Sequence, residues 1–250
     1  ALGIGYSFLG AVMIVPPLLE KIFTPVTLPD EVLVPGSRRH FTRVLKRYRH
    51  LEGYPRLFAR FKILIDPMFP RLAGLLKTPK LIIDIGTGFG VPATWLLELY
   101  PQARLYGVEP NRKRVDVASR VIGNRGNVQV GLAPDIPDTP GRADTALLLD
   151  MIHLLTDDAL HLTLKRVKAK LTEDGTVIIR ATVPHTAGSH WMRRMEEMRI
   201  RLGEGTPHFR TENAIRDLIT GAGFEITHSE SSAPGTEEIW FVAKPQAKAK

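Results

Sequence analysis

The chain has 250 residues, 44% of them hydrophobic, and a formal net charge of +8, which is ample for a real core and excludes a mainly disordered, collagen-like or coiled-coil polymer. Cysteine is absent, and with it disulfides, thiolate zinc sites, iron–sulfur clusters and cysteine nucleophiles. The charge is uneven: residues 1–37 carry −2, residues 38–80 carry +10, and the remainder balances, so a basic partner surface belongs in one short segment.

Residues 1–20 open the chain with no charge before Glu20. As a helix, residues 1–19 would span roughly 28 Å, close to a bilayer core. Pro16-Pro17 would break that helix early, so a membrane span and a buried apolar flap both stay open. The stretch also resembles the last transmembrane helix of resistance-nodulation-division exporters. If it spans, the basic run faces the cytoplasm and anionic lipid, with membrane contact through residues 1–62. Residues 21–78 form a basic helical lead-in. A helix over 37–51 is capped by Ser37, with Phe41, Val44, Leu45, Tyr48 and Leu51 on one face. A second helical stretch, 55–76, is interrupted by Pro67 and Pro70.

From Leu81 short apolar runs alternate with helical patterns. Strands are expected at 81–85, 104–108, 127–131, 144–150 and 175–181, and helices at 90–99, 111–122 and 156–171. Near-continuous apolar strands separated by helices indicate a parallel sheet covered on both faces. Helices at 188–202 and 211–220 follow. Strands at 223–228 and 237–243 read as an antiparallel hairpin finishing the sheet, and residues 245–250 as a loose tail.

The sharpest signal is Asp84-Ile85-Gly86-Thr87-Gly88-Phe89-Gly90, a strand end running into a helix with Pro92 in its first turn. Glycines let backbone approach a ligand, and the helix N-terminus offers free amides to an anionic group. A dinucleotide fingerprint would place its third glycine at position 91, which is Val91. Glu109 ends the next strand, placed to accept both hydroxyls of a ribose. Over residues 79–244 this arrangement resembles the class I S-adenosylmethionine-dependent methyltransferases. The resemblance implies a Rossmann-like, doubly wound, mostly parallel seven-stranded α/β sheet with an antiparallel last strand. It implies S-adenosyl-L-methionine as cofactor, held by Asp84, Gly86, Thr87, Gly88, Gly90, Glu109, Pro110, Ala133, Asp150 and Met151. Leu132 stands where family members often carry an acid near the adenine, which leaves apolar packing, backbone or Asp135 for that role.

A hydroxyl acceptor must lose its proton, and histidine suits that near neutral pH. His153 follows the fourth strand at the expected methyl end and is the candidate base; a packing role is the alternative. His185, His190, Trp191, Met195 and His208 lie in the excursion after the fifth strand and are the candidate acceptor contacts. No HxxxH or HExxH spacing occurs, so no metal is expected. The expected activity is methyl transfer to an oxygen, less surely nitrogen or carbon, of a small hydrophobic or lipid-like acceptor. The expected setting is a cytoplasmic domain, with or without a tether to the inner membrane face. Two rivals remain: an RNA methyltransferase using residues 38–80, with nucleic acid the less expected partner, and a non-catalytic cofactor-binding domain attached to a transporter. The sequence leaves the oligomeric state open.

Overall fold

The computed structural model describes residues 33–184 and 207–247. Three helices lead in: α1 (Arg38–Tyr48), α2 (Gly53–Ile65) and α3 (Met68–Gly74). The Ser37 side chain accepts the His40 N–H and caps α1, as its sequence position requires. Pro67 ends the second stretch, but Pro70 does not interrupt it further. It sits in the first turn of α3, where a missing N–H costs no helical bond.

The strands are β1 (Leu81–Ile85), β2 (Arg104–Glu109), β3 (Gly126–Val130), β4 (Ala143–Leu149), β5 (Leu171–Thr182), β6 (Phe224–Ser231) and β7 (Glu238–Pro245). They form one sheet in the order β3-β2-β1-β4-β5-β7-β6. β1 to β5 pair in parallel, and β7 inserts antiparallel between β5 and β6. The expected architecture is therefore present.

Helices α4 (Val91–Leu99) and α5 (Arg112–Ile122) carry the crossovers β1→β2 and β2→β3, and α6 (Asp157–Lys170) carries β4→β5. The β3→β4 connection, residues 131–142, has no helix. Beside it Val130 and Leu132 are 48% and 62% exposed. Helix α7 (Glu212–Gly221) precedes β6.

One core layer joins Phe41, Val44 and Tyr48 of α1 to Trp95 and Leu96 of α4 and to Ile82 of β1. The other joins Ile83 and Ile85 to Leu160 and Leu164 of α6 and Ile215 and Ile219 of α7. Alternate residues of β1 thus feed both layers, which is why the strand reads as a continuous apolar run.

The lead-in is part of this core. Buried Glu98 of α4 receives Arg43 Nε at 3.0 Å, Arg47 Nε at 2.8 Å and Arg125 Nη2 at 2.8 Å. Burial alone would raise the Glu98 pKa, but the Arg47, Arg43 and Arg125 guanidinium groups hold it below the usual carboxylate range. Arg71 pairs with Glu230 at 2.8 Å. Part of the basic run therefore fastens α1 and α3 to the sheet domain, not to an outside partner. The apolar segment 1–19 and the helix expected at 188–202 lie outside the described residues. Among the described residues no helix is long and apolar enough to cross a membrane.

Candidate functional site

β1 is flanked by β2 on one side and β4 on the other, so chain direction diverges at its carboxyl end and opens a crevice there. The Gly86–Gly90 loop crosses this crevice. Gly86 and Thr87 both donate backbone N–H to Val108 O, at 2.9 and 3.1 Å. Gly86 has φ +80°, and a Cβ there would stand 3.2 Å from the Met151 side chain. Gly88 has φ +58°, yet a Cβ there would meet nothing within 4 Å. Its glycine serves the left-handed backbone and leaves open space where a ligand can approach.

Glu109 is buried and holds this loop. Its Oε2 accepts the Gly88 N–H at 3.0 Å, and its Oε1 accepts the Asn111 N–H at 3.1 Å. Arg114 Nη1 stands 3.7 Å away. Asp84 is buried beneath the loop with Oδ2 lacking any partner. Burial pushes its pKa up to about 7, and the nearby Glu109 charge adds to the rise against the opposing Thr87 hydrogen bond.

A cleft runs from this loop to the lead-in, lined by Tyr54, Phe58 and Lys62 of α2, by Asp84, Gly86, Thr87, Gly88 and Phe89, and by Leu149 and Asp150. Phe89 packs against Phe58 and Tyr54 with ring centroids at 5.2 and 5.8 Å, and the Arg114 guanidinium lies over it at 5.5 Å.

A four-membered ion cluster closes the cleft at the end of β4. Arg180 Nη1 is 2.8 Å from Asp150 Oδ2, and Arg180 Nη2 is 3.0 Å from Asp66 Oδ1. Lys62 Nζ lies 2.5 Å from Asp66 Oδ2 and 3.3 Å from Asp150 Oδ2. Burial alone would lower the Lys62 pKa, but Asp150 and Asp66 keep its ammonium above the ordinary value. Asp150 Oδ1 is buried without a partner, and its backbone is left-handed at φ +55°. Left-handed backbone is uncommon outside glycine, and aspartate is one of the few residues that adopts it readily.

Of the residues expected from sequence, Asp84, Gly86, Thr87, Gly88 and Asp150 line the cleft together. Met151 packs on Gly86, Pro110 is exposed just past Glu109, and Ala133 is buried. Asp135 is turned to Arg166, 3.4 Å away. His153 is buried in a short turn after β4. Its ring stacks on Phe209 at 5.5 Å, and its carbonyl accepts the His208 N–H at 2.7 Å. It does not line the cleft. His185, His190, Trp191 and Met195 lie outside the described residues.

Sequence reasoning missed Lys62, Asp66, Arg180, Phe209 and Arg210. Arg210 is buried and ties residues 207–211 to the turn after β4, donating to Ile152 O at 2.9 Å and pairing with Asp157 at 2.7 Å. A lone arginine within the apolar run of β5 was the available signal for Arg180, because a buried charge needs a partner.

Residues 58–229 match the family described as the methyltransferase domain. The chain belongs to this family. The methyltransferase is 21% identical over 166 residues, 64% of its own length and 75% of the other's, to the uncharacterized methyltransferase YrrT of Bacillus subtilis strain 168. Its fold is similar to that of the pyocyanin biosynthetic protein PhzM, at TM-score 0.59 and 22% identity over 82% of this chain and 61% of PhzM. It is also similar to human N-acetylserotonin methyltransferase in complex with SAM, at TM-score 0.60 and 16% identity over 92% of this chain and 62% of that one. A third likeness is to NcsB1, an O-methyltransferase from neocarzinostatin biosynthesis in complex with S-adenosyl-L-homocysteine and a dihydroxynaphthoic acid, at TM-score 0.58 and 18% identity over 78% and 57% of the two chains. The methyltransferase thus spans about three fifths of the length of these solved structures.

Proposed function

We propose that the chain transfers the methyl group of S-adenosylmethionine to an oxygen of a small, hydrophobic acceptor. The observation that carries this reading is a pair of buried carboxylate oxygens, Asp84 Oδ2 and Asp150 Oδ1, without partners in one glycine-walled cleft. An unpartnered buried acceptor calls for a donor, and a cationic one suits a carboxylate best. The α-ammonium and sulfonium of S-adenosylmethionine supply that charge. Glu109 would hold the ribose hydroxyls while keeping its hold on the Gly88 N–H, and Gly88 leaves the room the nucleoside needs. Tyr54, Phe58 and Phe89 give the cleft an aromatic wall.

When bound, the cofactor supplies an electrophilic methyl whose sulfur leaves as a neutral thioether. The chain's own task is to align an acceptor oxygen with that methyl and remove a proton. Positioning of this kind is worth roughly 7–11 kcal/mol. His153 lies outside the cofactor cleft with its ring stacked on Phe209, and it is proposed to act on the acceptor from there, on the side where the excursion after β5 returns to the sheet. His185, His190, Trp191 and Met195 remain proposed acceptor contacts. Titration calorimetry with S-adenosylmethionine and its demethylated product should give saturable one-to-one binding; none at millimolar ligand would sink the reading. Labelled cofactor with a lipid and metabolite extract, followed by mass analysis, identifies the acceptor. His153→Asn should leave cofactor affinity unchanged and depress turnover by about 10²-fold or more. Binding without methylation of any acceptor would instead favour a sensing domain.

A further inference from the structure

Helix α2 is apolar on the side that faces solvent. Ala59 and Ile63 are buried and mark its inner side. At 100° per residue the opposite side presents Leu57, Phe61 and Leu64 at i, i+4 and i+7, with Tyr54 and Ile65 beside them. Tyr54, Leu57, Leu64 and Ile65 are 58%, 39%, 40% and 71% exposed. These four are neighbours on one helix, whereas a lone exposed apolar side chain would need no explanation. Exposed Arg56 flanks the stripe, and exposed Arg49 stands at the turn from α1 into α2. Among the described residues neither has an acidic partner, and the same holds for exposed Arg38 and Lys46. Thus the ion pairs that fasten the lead-in to the sheet leave further cations of the lead-in exposed, with Arg56 and Arg49 next to the apolar ridge.

We propose that this outer face of α2 docks on an anionic bilayer surface. An apolar stripe lets side chains enter the headgroup–acyl boundary, and neighbouring arginines engage anionic headgroups. Charge complementarity selects this occupant over a second copy of the chain, which would bring its own Arg56 and Arg49 against them. Only residues 20–32 separate the uncharged stretch 1–19 from Leu33, a reach of roughly 40 Å when extended, so a bilayer holding that stretch stays within range. Tyr54 belongs both to the stripe and to the wall of the cofactor cleft. Docking would therefore set the cleft's aromatic side at lipid level, where an apolar acceptor concentrates.

The absence of cysteine permits a single reporter in the full chain. Leu64→Cys carrying an environment-sensitive fluorophore is mixed with vesicles of phosphatidylglycerol and phosphatidylcholine, or of phosphatidylcholine alone. We expect a blue shift on the anionic vesicles that about 0.5 M salt reverses, and none on the neutral ones. Ile65→Cys repeats the reading at a more exposed position. Glu173→Cys, exposed at the opposite rim of the sheet, keeps its spectrum. No shift on either vesicle overturns the proposal, as does an equal shift on both. A shift without vesicles that grows with protein concentration assigns the face to a second copy and overturns it too. Cofactor affinity is measured in parallel, so a failed methyltransferase reading is seen separately from a failed docking reading.

Discussion

Asp150 gives one carboxylate oxygen to Arg180, at 2.8 Å, and keeps the other buried without a partner. Arg180 and Lys62 hold the carboxylate in place, and the free oxygen remains for a ligand. Asp150→Asn tests this without disturbing the backbone, because asparagine tolerates φ +55° better than most residues. Calorimetry should show cofactor binding weakened about 10- to 30-fold, roughly 1.4–2 kcal/mol. Unchanged affinity would remove Asp150 from the site.

Asp84 makes cofactor binding depend on pH. Its carboxyl titrates at about 7 in the free protein, and only the ionised form attracts a cation. Affinity should rise with pH through 7, with a loss approaching tenfold per unit below it. Asp84→Asn should bind weakly and flatten this dependence between pH 6 and 7.5. A wild-type affinity that does not change over this interval would contradict the assignment.

Glu109 couples the glycine loop to the end of β2 through Gly88 and Asn111. Glu109→Gln keeps the shape but loses the charge and one acceptor, and should weaken cofactor binding about tenfold. Gly88→Ala should weaken it further through backbone strain at φ +58°, although nothing stands within 4 Å to clash. Equal affinities in the variants and the parent, measured by dialysis, would contradict this role for the loop.

Two buried groups set opposite pH trends on stability in the cofactor-free protein. His40 is buried, with Nε2 at 2.9 Å from Trp95 O and Nδ1 accepting the Gly36 N–H. Burial lowers its pKa to about 4. Between pH 6.5 and 4 the unfolded chain therefore binds the extra proton, and stability falls with pH. Asp84, raised to about 7, binds a proton in the folded state over the same interval, and stability rises as pH falls. Each slope approaches about 1.4 kcal/mol per pH unit, so the two trends oppose each other from pH 6.5 to 4.5. His40→Gln should gain stability on acidification and Asp84→Asn should lose it. Urea midpoints across this range decide the matter.

The sheet was legible because its strands are buried on both faces and leave uninterrupted apolar runs. β1 coincides with its expected span, whereas β5 begins at Leu171 instead of 175. Its first turns of chain, Thr172, Glu173 and Asp174, lie at the rim of the sheet and are not buried, so they carry no apolar signature. The glycine loop and its two acids were legible through local spacing. The ion cluster was not: Lys62 meets Asp150 across 88 residues, and Arg180 meets Asp66 across 114. No local pattern encodes such pairs, and only the packing of α2 against the end of β4 creates them. His153 occupies its expected place in the chain, yet its ring stacks on Phe209 of the irregular segment 207–210 and does not line the cleft.

The helix-free passage from β3 to β4 offers an experimental handle. Asp138, Pro140 and Gly141 are exposed there, and no strand hydrogen bond depends on them. A guest sequence spliced after Pro140 should be carried as an outward loop, since lengthening an exposed connection costs little closure entropy. A peptide tag or small reporter domain at that point would allow immobilisation from a flank remote from α2, leaving both the cleft and the lead-in unencumbered.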